Sequence, residues 1–234
     1  MNIVVTGASR GIGFALVKNL ARSGNHRIIA TARNHQHLER LREECHQINP
    51  ESEVIPFPFD LQNADAGKIL SELVETSLGN VNILVNNAGL LINKPFGELT
   101  GQDFDAMFGV NVKSLFRISQ LLLDHFSQPA HIVNVASMGG VQGSAKFPGL
   151  SLYSASKGAV VILTEAMAEE LKEKGIRVNC LAFGAVQTEM LAEAFPGYKA
   201  PLKPEEMAEF VADFALNGHR YFNGKTLPVS LSTP

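Results

Sequence analysis

A glycine-rich segment, Thr6–Gly13, follows a short apolar run and reads Thr-Gly-Ala-Ser-Arg-Gly-Ile-Gly. Glycines let the backbone turn tightly against a phosphate, and a following helix offers unpaired N–H groups and the positive end of its dipole. The spacing is Gly-x-x-x-Gly-x-Gly, not the commoner Gly-x-Gly-x-x-Gly. The segment predicts a dinucleotide phosphate site, with a tight turn that binds nothing as the alternative. The residues assigned to the site are Gly7, Ser9, Arg10, Gly11, Ile12 and Gly13.

The end of the second predicted strand indicates which dinucleotide would bind. An acidic residue there would accept hydrogen bonds from the adenosine ribose of NAD, but this chain reads Ala32-Arg33-Asn34. The Arg33 guanidinium matches a ribose 2′-phosphate, and Arg10 can reach the same group. Either arginine alone would be better explained as an ordinary surface residue. The two together favour NADP(H).

Short β-branched runs alternate with amphipathic stretches from end to end. The predicted strands are Asn2–Thr6, Arg27–Thr31, Glu53–Phe59, Val81–Asn86, His131–Ala136, Ile176–Ala182 and Lys225–Ser230. The predicted helices are Gly11–Ser23, Gln36–Gln47, Ala64–Leu78, Phe104–Phe126, Ser151–Lys174 and Pro204–Leu216. Most strands are continuously apolar, as parallel strands buried on both faces are. This alternation predicts one α/β domain over residues 1–234, a doubly wound seven-stranded parallel sheet with helices on both faces.

Composition excludes several classes of protein. The 234 residues are 45% hydrophobic and 18% charged, which is typical of a folded domain, and the net charge of −3 provides no basic field for nucleic acid or a membrane surface. Two cysteines, Cys45 and Cys180, are too few for a disulfide framework. No apolar run is long enough to span a membrane, and the N-terminus has no secretory signal pattern. We therefore expect a cytoplasmic protein. The histidines and cysteines show no metal-ligand spacing, so no metal site is predicted.

Polar residues also follow the later predicted strands or lie in the helices. They are Asp60-Leu61, Asn86-Asn87-Ala88-Gly89, Asn111, Ser137 and Tyr153-Ser-Ala-Ser-Lys157. A Tyr-x-x-x-Lys match alone is weak, but together with Thr6–Gly13 the ordered set resembles the short-chain dehydrogenase/reductase family over nearly the whole chain. The two arginines make it similar to the NADP-preferring members, near the ketoacyl-carrier-protein reductases and carbonyl reductases. The resemblance implies a single-domain Rossmann fold, NADP(H) as cofactor and a small carbonyl or alcohol substrate.

The resemblance also assigns a catalytic set. Tyr153 would be the general acid that protonates the substrate carbonyl oxygen, and Ser137 would donate a hydrogen bond to that oxygen. Lys157 would bind the nicotinamide ribose, and Asn111 would anchor a water in a proton relay. Tyr153 and Lys157 are four residues apart, so they share a helix face, and the ammonium together with an oxidised nicotinamide is expected to lower the tyrosine pKa from about 10. The alternatives are that Ser137 only ends a strand and that Asn111 only stabilises a helix kink.

Further cofactor contacts are implied by the same resemblance. Asp60 and Leu61 would hold the adenine, although Asp60 could instead cap the next helix. The adenosine-ribose side of the cleft would be lined by Asn86, Ala88 and Gly89. The nicotinamide end would be held by Gly184, Val186 and Thr188.

Three features depart from the family pattern. Phe183 stands where Pro is usual before Gly184, and its presence is expected to loosen the turn. The separation of Ser137 and Tyr153 is longer than usual, and the extra residues, within 139–148, predict a flexible loop beside the substrate. The last strand lacks the glycine pair that often follows it.

Two apolar regions have alternative interpretations. In the short substrate segment at residues 189–203, Met190, Leu191 and Phe195 could form an apolar wall or pack a small helix. Gly158–Leu163 is apolar on every face of its helix, which favours a homodimer or homotetramer. Cover by a neighbouring helix of the same chain is the alternative.

The favoured hypothesis is an NADP(H)-dependent oxidoreductase that interconverts a carbonyl and a secondary alcohol. The alternative is a catalytically silent nucleotide-binding sensor on the same fold. The complete set of Asn111, Ser137, Tyr153 and Lys157 argues against the sensor, which needs no general acid. An epimerase or dehydratase usually has a longer substrate domain than 234 residues allow.

Overall fold

The structure is a computed structural model that describes residues 1–63 and 65–231, with only the backbone of residues 66 and 67. In this part of the chain, seven parallel strands form one sheet in the order β3-β2-β1-β4-β5-β6-β7. The strands are β1 (Asn2–Thr6), β2 (Arg27–Ala32), β3 (Glu53–Pro58), β4 (Val81–Asn86), β5 (Phe126–Ser137), β6 (Ile176–Phe183) and β7 (Thr226–Val229). The order reverses between β1 and β4, and this switch point opens a crevice at the carboxyl ends of the strands.

Helices cover both faces of the sheet. They are α1 (Gly11–Ser23), α2 (His35–Ile48), α3 (Ala66–Ser77), α4 (Gly101–Phe108), α5 (Ser114–Leu121), α6 (Ser151–Glu170), α7 (Glu189–Ala194) and α8 (Pro204–Asn217). Buried side chains of α1, α2 and α8 pack on one face, and those of α3, α5 and α6 pack on the other. Because apolar cores lie on both faces, the strands are apolar at nearly every position. The predicted doubly wound Rossmann fold is confirmed.

The prediction of one continuous fourth helix over Phe104–Phe126 is wrong, because the helical region is interrupted and ends earlier. Helix α4 starts at Gly101, a π-helical segment at Gly109–Lys113 follows, and α5 ends at Leu121. Phe126 already belongs to β5, because it pairs with Val81. The predicted start of the third helix, Ala64, lies outside the described residues.

A chain of buried amides crosses the centre of the fold. The Asn86 side chain on β4 donates from Nδ2 to Asn134 Oδ1 on β5 at 2.9 Å, and Asn134 Nδ2 donates to Thr164 Oγ1 on α6 at 2.9 Å. All three residues are nearly inaccessible to solvent. Displacing β4, β5 or α6 by one residue would leave these groups unpaired in the core, which is costly. The chain therefore fixes the register of α6, the helix that carries Tyr153 and Lys157.

Among the helices of residues 1–63 and 65–231, none is long and apolar enough to cross a membrane.

Candidate active site

A cavity of about 850 Å³ lies at the carboxyl ends of the strands, where the switch point predicts a ligand site. The predicted site residues that line it are Gly7, Ser9, Arg10, Gly11, Ile12, Gly13, Arg33, Asp60, Leu61, Ala88, Gly89, Ser137, Tyr153, Lys157, Gly184, Val186 and Thr188. They come from the ends of six strands and from α6. The topology thus brings together residues that are far apart in the sequence.

The glycine-rich turn forms a cradle at the N-terminus of α1, where Gly7 and Gly13 carry no side chain. Gly7 has a φ of 70°, in the left-handed region that favours glycine. A Cβ at Gly13 would lie 2.3 Å from the Gly7 carbonyl oxygen, so any larger residue would push the turn apart. The first turn of α1 has no acidic residue and no side-chain cap on its N–H groups. This arrangement fits the pyrophosphate of a dinucleotide.

Thr6 and Asn87 join the glycine-rich turn to the end of β4. The backbone N–H groups of Asn87 and Ala88 both donate to Thr6 Oγ1 at 3.1 Å. Asn87 Nδ2 donates to the carbonyl oxygens of Thr6 and Gly7 at 3.0 and 3.2 Å. Asn87 lines the cavity and was missed in the sequence analysis, although the Asn-Asn pair offered a signal.

The prediction that Asn86 lines the cleft is not supported. Its side chain points into the core, where it is 3% exposed and donates to Asn134 and Ser119. Successive side chains of a strand alternate between faces, so Asn86 and Asn87 cannot both face the same side. Asn87 faces the turn, and Asn86 belongs to the buried amide chain.

Arg10 and Arg33 line the cavity at the end where the sequence predicts the adenosine of the cofactor. Arg10 Nη1 forms an ion pair with Glu193 Oε1 of α7 at 3.0 Å, and both side chains are largely exposed. Arg33 is exposed just after β2, and the next residue, Asn34, caps α2 by accepting from the His37 N–H. Asp60 lines the same end and accepts from the Gln62 N–H at 2.9 Å, so it caps a turn and not the next helix.

Tyr153, Ser137 and Lys157 converge at the other end of the cavity. The Ser137 hydroxyl lies beside that of Tyr153 and acts to lower the pKa of the tyrosine. Lys157 Nζ donates to the Val135 carbonyl oxygen at 2.8 Å and lies 6.0 Å from the centroid of the Tyr153 ring. Burial lowers the pKa of Lys157 to about 8, and the nearby Cys180 acts in the opposite direction. A proton donor, a second hydroxyl and a lysine thus face one space.

The pKa of Tyr153 departs from the sequence-based expectation. Burial raises it to about 12, and the hydrogen bond with Ser137 acts in the opposite direction. The ammonium of Lys157 is directed to a backbone carbonyl and does not overcome the effect of burial. In the protein alone the phenol therefore keeps its proton, which is the form a general acid needs.

Asn111 does not line the cavity but lies directly behind it, in the π-helical segment. Its Oδ1 accepts from the Leu90 N–H at 2.7 Å, and its Nδ2 donates to the Leu90 carbonyl and to Ser156 Oγ, both at 2.9 Å. A Cβ at Gly89 would lie 3.5 Å from Lys157 Nζ and 3.6 Å from Asn111 Oδ1. Asn111 therefore positions the segment after β4 against α6, and its part in a proton relay stays a prediction.

The segment after β6 is well held despite its missing proline. Phe183 pairs with Ser137 of β5 and with Val229 of β7, and the Gly184 N–H donates to Val229 at 2.9 Å. A proline at 183 has no N–H to donate, so phenylalanine extends the strand instead of loosening the turn. Val186 is buried, and Thr188 caps α7 by accepting from the Leu191 N–H.

Two loops lie beside Tyr153, one after β5 and one after β6. Ser144 Oγ donates to the Met138 carbonyl, and Lys146 Nζ donates to the carbonyls of Val141 and Ser144 at 2.7 and 2.9 Å. These bonds close the loop that the sequence predicted to be flexible. In the segment after β6, both interpretations of the apolar residues hold, the cavity wall and the small helix. Residues 189–194 form a small helix, α7, and its apolar residues also line the cavity.

Comparison with known proteins identifies the family. The sequence model of the short chain dehydrogenase family matches residues 1–199 of this chain. The chain belongs to the short-chain dehydrogenase family. Its members are oxidoreductases, so the family accounts for the glycine-rich cradle and for the group around Tyr153. The predicted resemblance is confirmed.

Members of the short-chain dehydrogenase family differ in the nicotinamide cofactor that they are named for or complexed with. Carbonyl reductase [NADPH] 2 of Sus scrofa is 37% identical over 193 residues, which are 81% of this chain and 73% of that protein. A Burkholderia cenocepacia short chain dehydrogenase in complex with NADP is 29% identical, with a TM-score of 0.86 over 97% of this chain and 95% of that one. The 3-ketoacyl-(acyl-carrier-protein) reductase of Brucella melitensis, complexed with NADH, is also 29% identical, with a TM-score of 0.86 over 98% and 96%. A nicotinamide cofactor is common to both complexes.

Proposed function

We propose that the protein is an NADP(H)-dependent oxidoreductase that interconverts a carbonyl compound and a secondary alcohol. The observation that carries the proposal is the convergence of Ser137, Tyr153 and Lys157 at one end of a cavity whose other end carries the glycine-rich cradle. The lining of the cavity carries cationic groups near Arg33 and hydroxyl groups near Tyr153. This division matches a phosphate-bearing cofactor and a carbonyl substrate.

In the proposed reduction, each residue has a separate task. The bound cofactor supplies the hydride for the carbonyl carbon. Tyr153 transfers its phenolic proton to the carbonyl oxygen, and the Ser137 hydroxyl donates a hydrogen bond to the same oxygen as negative charge develops. Lys157 in its ammonium form stabilises the phenolate that remains. Residues that would hold the cofactor are those of the glycine-rich turn, Arg10, Arg33, Asp60, Leu61, Ala88, Gly89, Gly184, Val186 and Thr188.

An assay of NADPH absorbance with a panel of neutral ketones and aldehydes tests the proposal. We expect turnover that depends on the carbonyl compound. A protein that binds NADPH tightly but reduces no member of the panel would instead be a nucleotide-binding sensor. Binding measured by the fluorescence of NADPH separates that outcome from a misfolded preparation.

The same assay has an expected pH dependence. Reduction needs the Lys157 ammonium, whose pKa burial lowers to about 8, and the Tyr153 phenol, whose pKa burial raises to about 12. Below both values the two groups carry their protons, so kcat/KM should be constant; above pH 8 it should fall as lysine loses its charge. A descending limb near pH 12 alone would show that the charge of Lys157 is not needed.

Exposed apolar side chains on α4, α5 and α6 also support a homodimer or homotetramer. On α6, Ile162 is 65% exposed, whereas Val161 and Leu163 pack against their own chain. Phe104 on α4 and Phe116 on α5 are each 44% exposed, and α4 contacts α6. The alternative of cover by the same chain therefore accounts for the neighbours of Ile162 but not for Ile162 itself.

Replacing Ile162 by glutamate tests the assembly. We expect a smaller species in light scattering, because a carboxylate would be buried unpaired in the subunit interface. The melting temperature of the isolated subunit should change little, since the residue is exposed within its own chain. Ile162→Leu is the matched apolar control. A monodisperse monomer of the unmodified chain at micromolar concentration would contradict the proposal.

A further inference from the structure

Three segments enclose the end of the cavity that carries Ser137 and Tyr153. They are the segment after β4, the loop after β5 and the region of α7. The apolar side chains that they direct into the cavity include Leu91, Met138, Phe147, Leu150, Met190 and Phe195. The space in front of the reacting hydroxyls thus has an apolar wall on three sides.

Hydrogen bonds hold these three segments together. Asn93 Nδ2 donates to the Ala194 carbonyl at the end of α7 at 2.8 Å. The neighbouring Lys94 N–H donates to the Gly149 carbonyl at 3.0 Å, which fixes the loop between Phe147 and Leu150. Residues 93 and 94 therefore tie the other two walls in place. The wall is therefore already formed in the protein alone.

Charged side chains are distributed unevenly along the cavity. Those at the ends of β1, β2 and β3, or in the turns that follow, lie at the end predicted to hold the adenosine; they are Arg10, Arg33 and Asp60. Glu189 faces the glycine-rich turn, since a Cβ at Gly11 would lie 3.7 Å from its Oε2. Among the described lining residues, Lys157 is then the one cation near Tyr153, and its Nζ already donates to Val135.

We infer that the substrate is a neutral carbonyl compound with an apolar aryl or alkyl group, and that Phe147 is a specificity residue that excludes carboxylates. The inference rests on the proposed function. A carboxylate beside the carbonyl would lose its water against Phe147, Met190 and Phe195 without gaining a cation. An apolar group would bury its surface on the same side chains. Substrates rich in hydroxyl groups would leave those groups unpaired there.

A matched pair of substrates tests this inference. Ethyl phenylglyoxylate and phenylglyoxylate carry the same ketone, and differ in whether the adjacent group is a neutral ester or a carboxylate. We expect kcat/KM with NADPH to be higher for the ester by about 100-fold or more. Equal or faster reduction of the carboxylate would overturn the inference and leave the proposed function intact. If the enzyme reduces neither compound and no member of the neutral panel, both the inference and the proposed function are overturned.

Phe147→Arg provides the converse test. The side chain is 49% exposed and lies on a loop, so the fold should tolerate the change, and thermal unfolding checks this. A cation in the wall should lower the preference for the ester by about tenfold or more. Phe147→Met removes the aromatic ring without adding charge and should keep the preference. An identical preference in the two variants would overturn the assignment of Phe147.

Discussion

Tyr153→Phe is expected to lower turnover by about 10²–10⁴-fold, the usual contribution of a general acid. The substitution keeps the aromatic ring in the wall of the cavity and removes the hydroxyl that lies beside Ser137. The measurement is kcat for a carbonyl substrate of the unmodified enzyme. NADPH affinity should change little, because the adenosine end of the cavity is formed by other residues.

Lys157→Ala is the comparison that distinguishes the role of the lysine from the proton transfer by Tyr153. It removes the ammonium as well as the predicted ribose contact, so turnover and cofactor affinity should fall together. Lys157 is 3% exposed and bonded to β5, so thermal unfolding must accompany the assay. Activity of Tyr153→Phe within a few-fold of the parent would show that the proton comes from another group.

NADPH is expected to bind more tightly than NADH, and Arg33→Ala should remove most of the difference. Hydrogen bonds to charged groups contribute about 1.5–3 kcal/mol when shielded, and less at an exposed site, so we expect a loss of about 10–100-fold in NADPH affinity. Arg33 should contribute more than Arg10, because Arg10 is already paired with Glu193. Titration of cofactor fluorescence measures both dissociation constants.

The double change Ala32→Asp with Arg33→Ala should invert the preference. A carboxylate at the end of β2 would accept hydrogen bonds from the ribose and repel a 2′-phosphate. Arg40 on α2 offers a control for general charge: it is exposed and bonded to Glu44, so Arg40→Ala should weaken both cofactors equally or not at all. Equal dissociation constants in the unmodified protein would refute the assignment of Arg33.

The sheet was predictable because burial on both faces imposes a simple pattern. β1 and β4 match their predicted bounds, since each is an apolar run that ends at a polar or glycine-rich turn. The other strands differ mainly at their ends. β5 starts five residues before its predicted start at His131, because Phe126 pairs with β4 at the periphery, where the apolar pattern is weak.

Features that depend on contacts between distant residues could not be read from the sequence. Asn111 is bound to Leu90 and Ser156, and nothing local distinguishes the π-helical segment around it from an ordinary helix. The orientations of Asn86 and Asn87 depend on where β4 ends. The pKa of Tyr153 is set by burial that only the folded chain creates.

The buried hydrogen-bonded chain of Asn86, Asn134 and Thr164 separates a part of the protein that tolerates little structural change from two loops that tolerate more. Any change that moves α6 leaves unsatisfied amides in the core, so the catalytic geometry tolerates little variation. The exposed parts of the cavity walls, residues 142–148 and 189–198, lie outside this hydrogen-bonded chain, and few hydrogen bonds join them to the rest of the described fold. Laboratory evolution for new substrates should therefore accumulate its substitutions in these two loops, where altered shape costs little folding free energy.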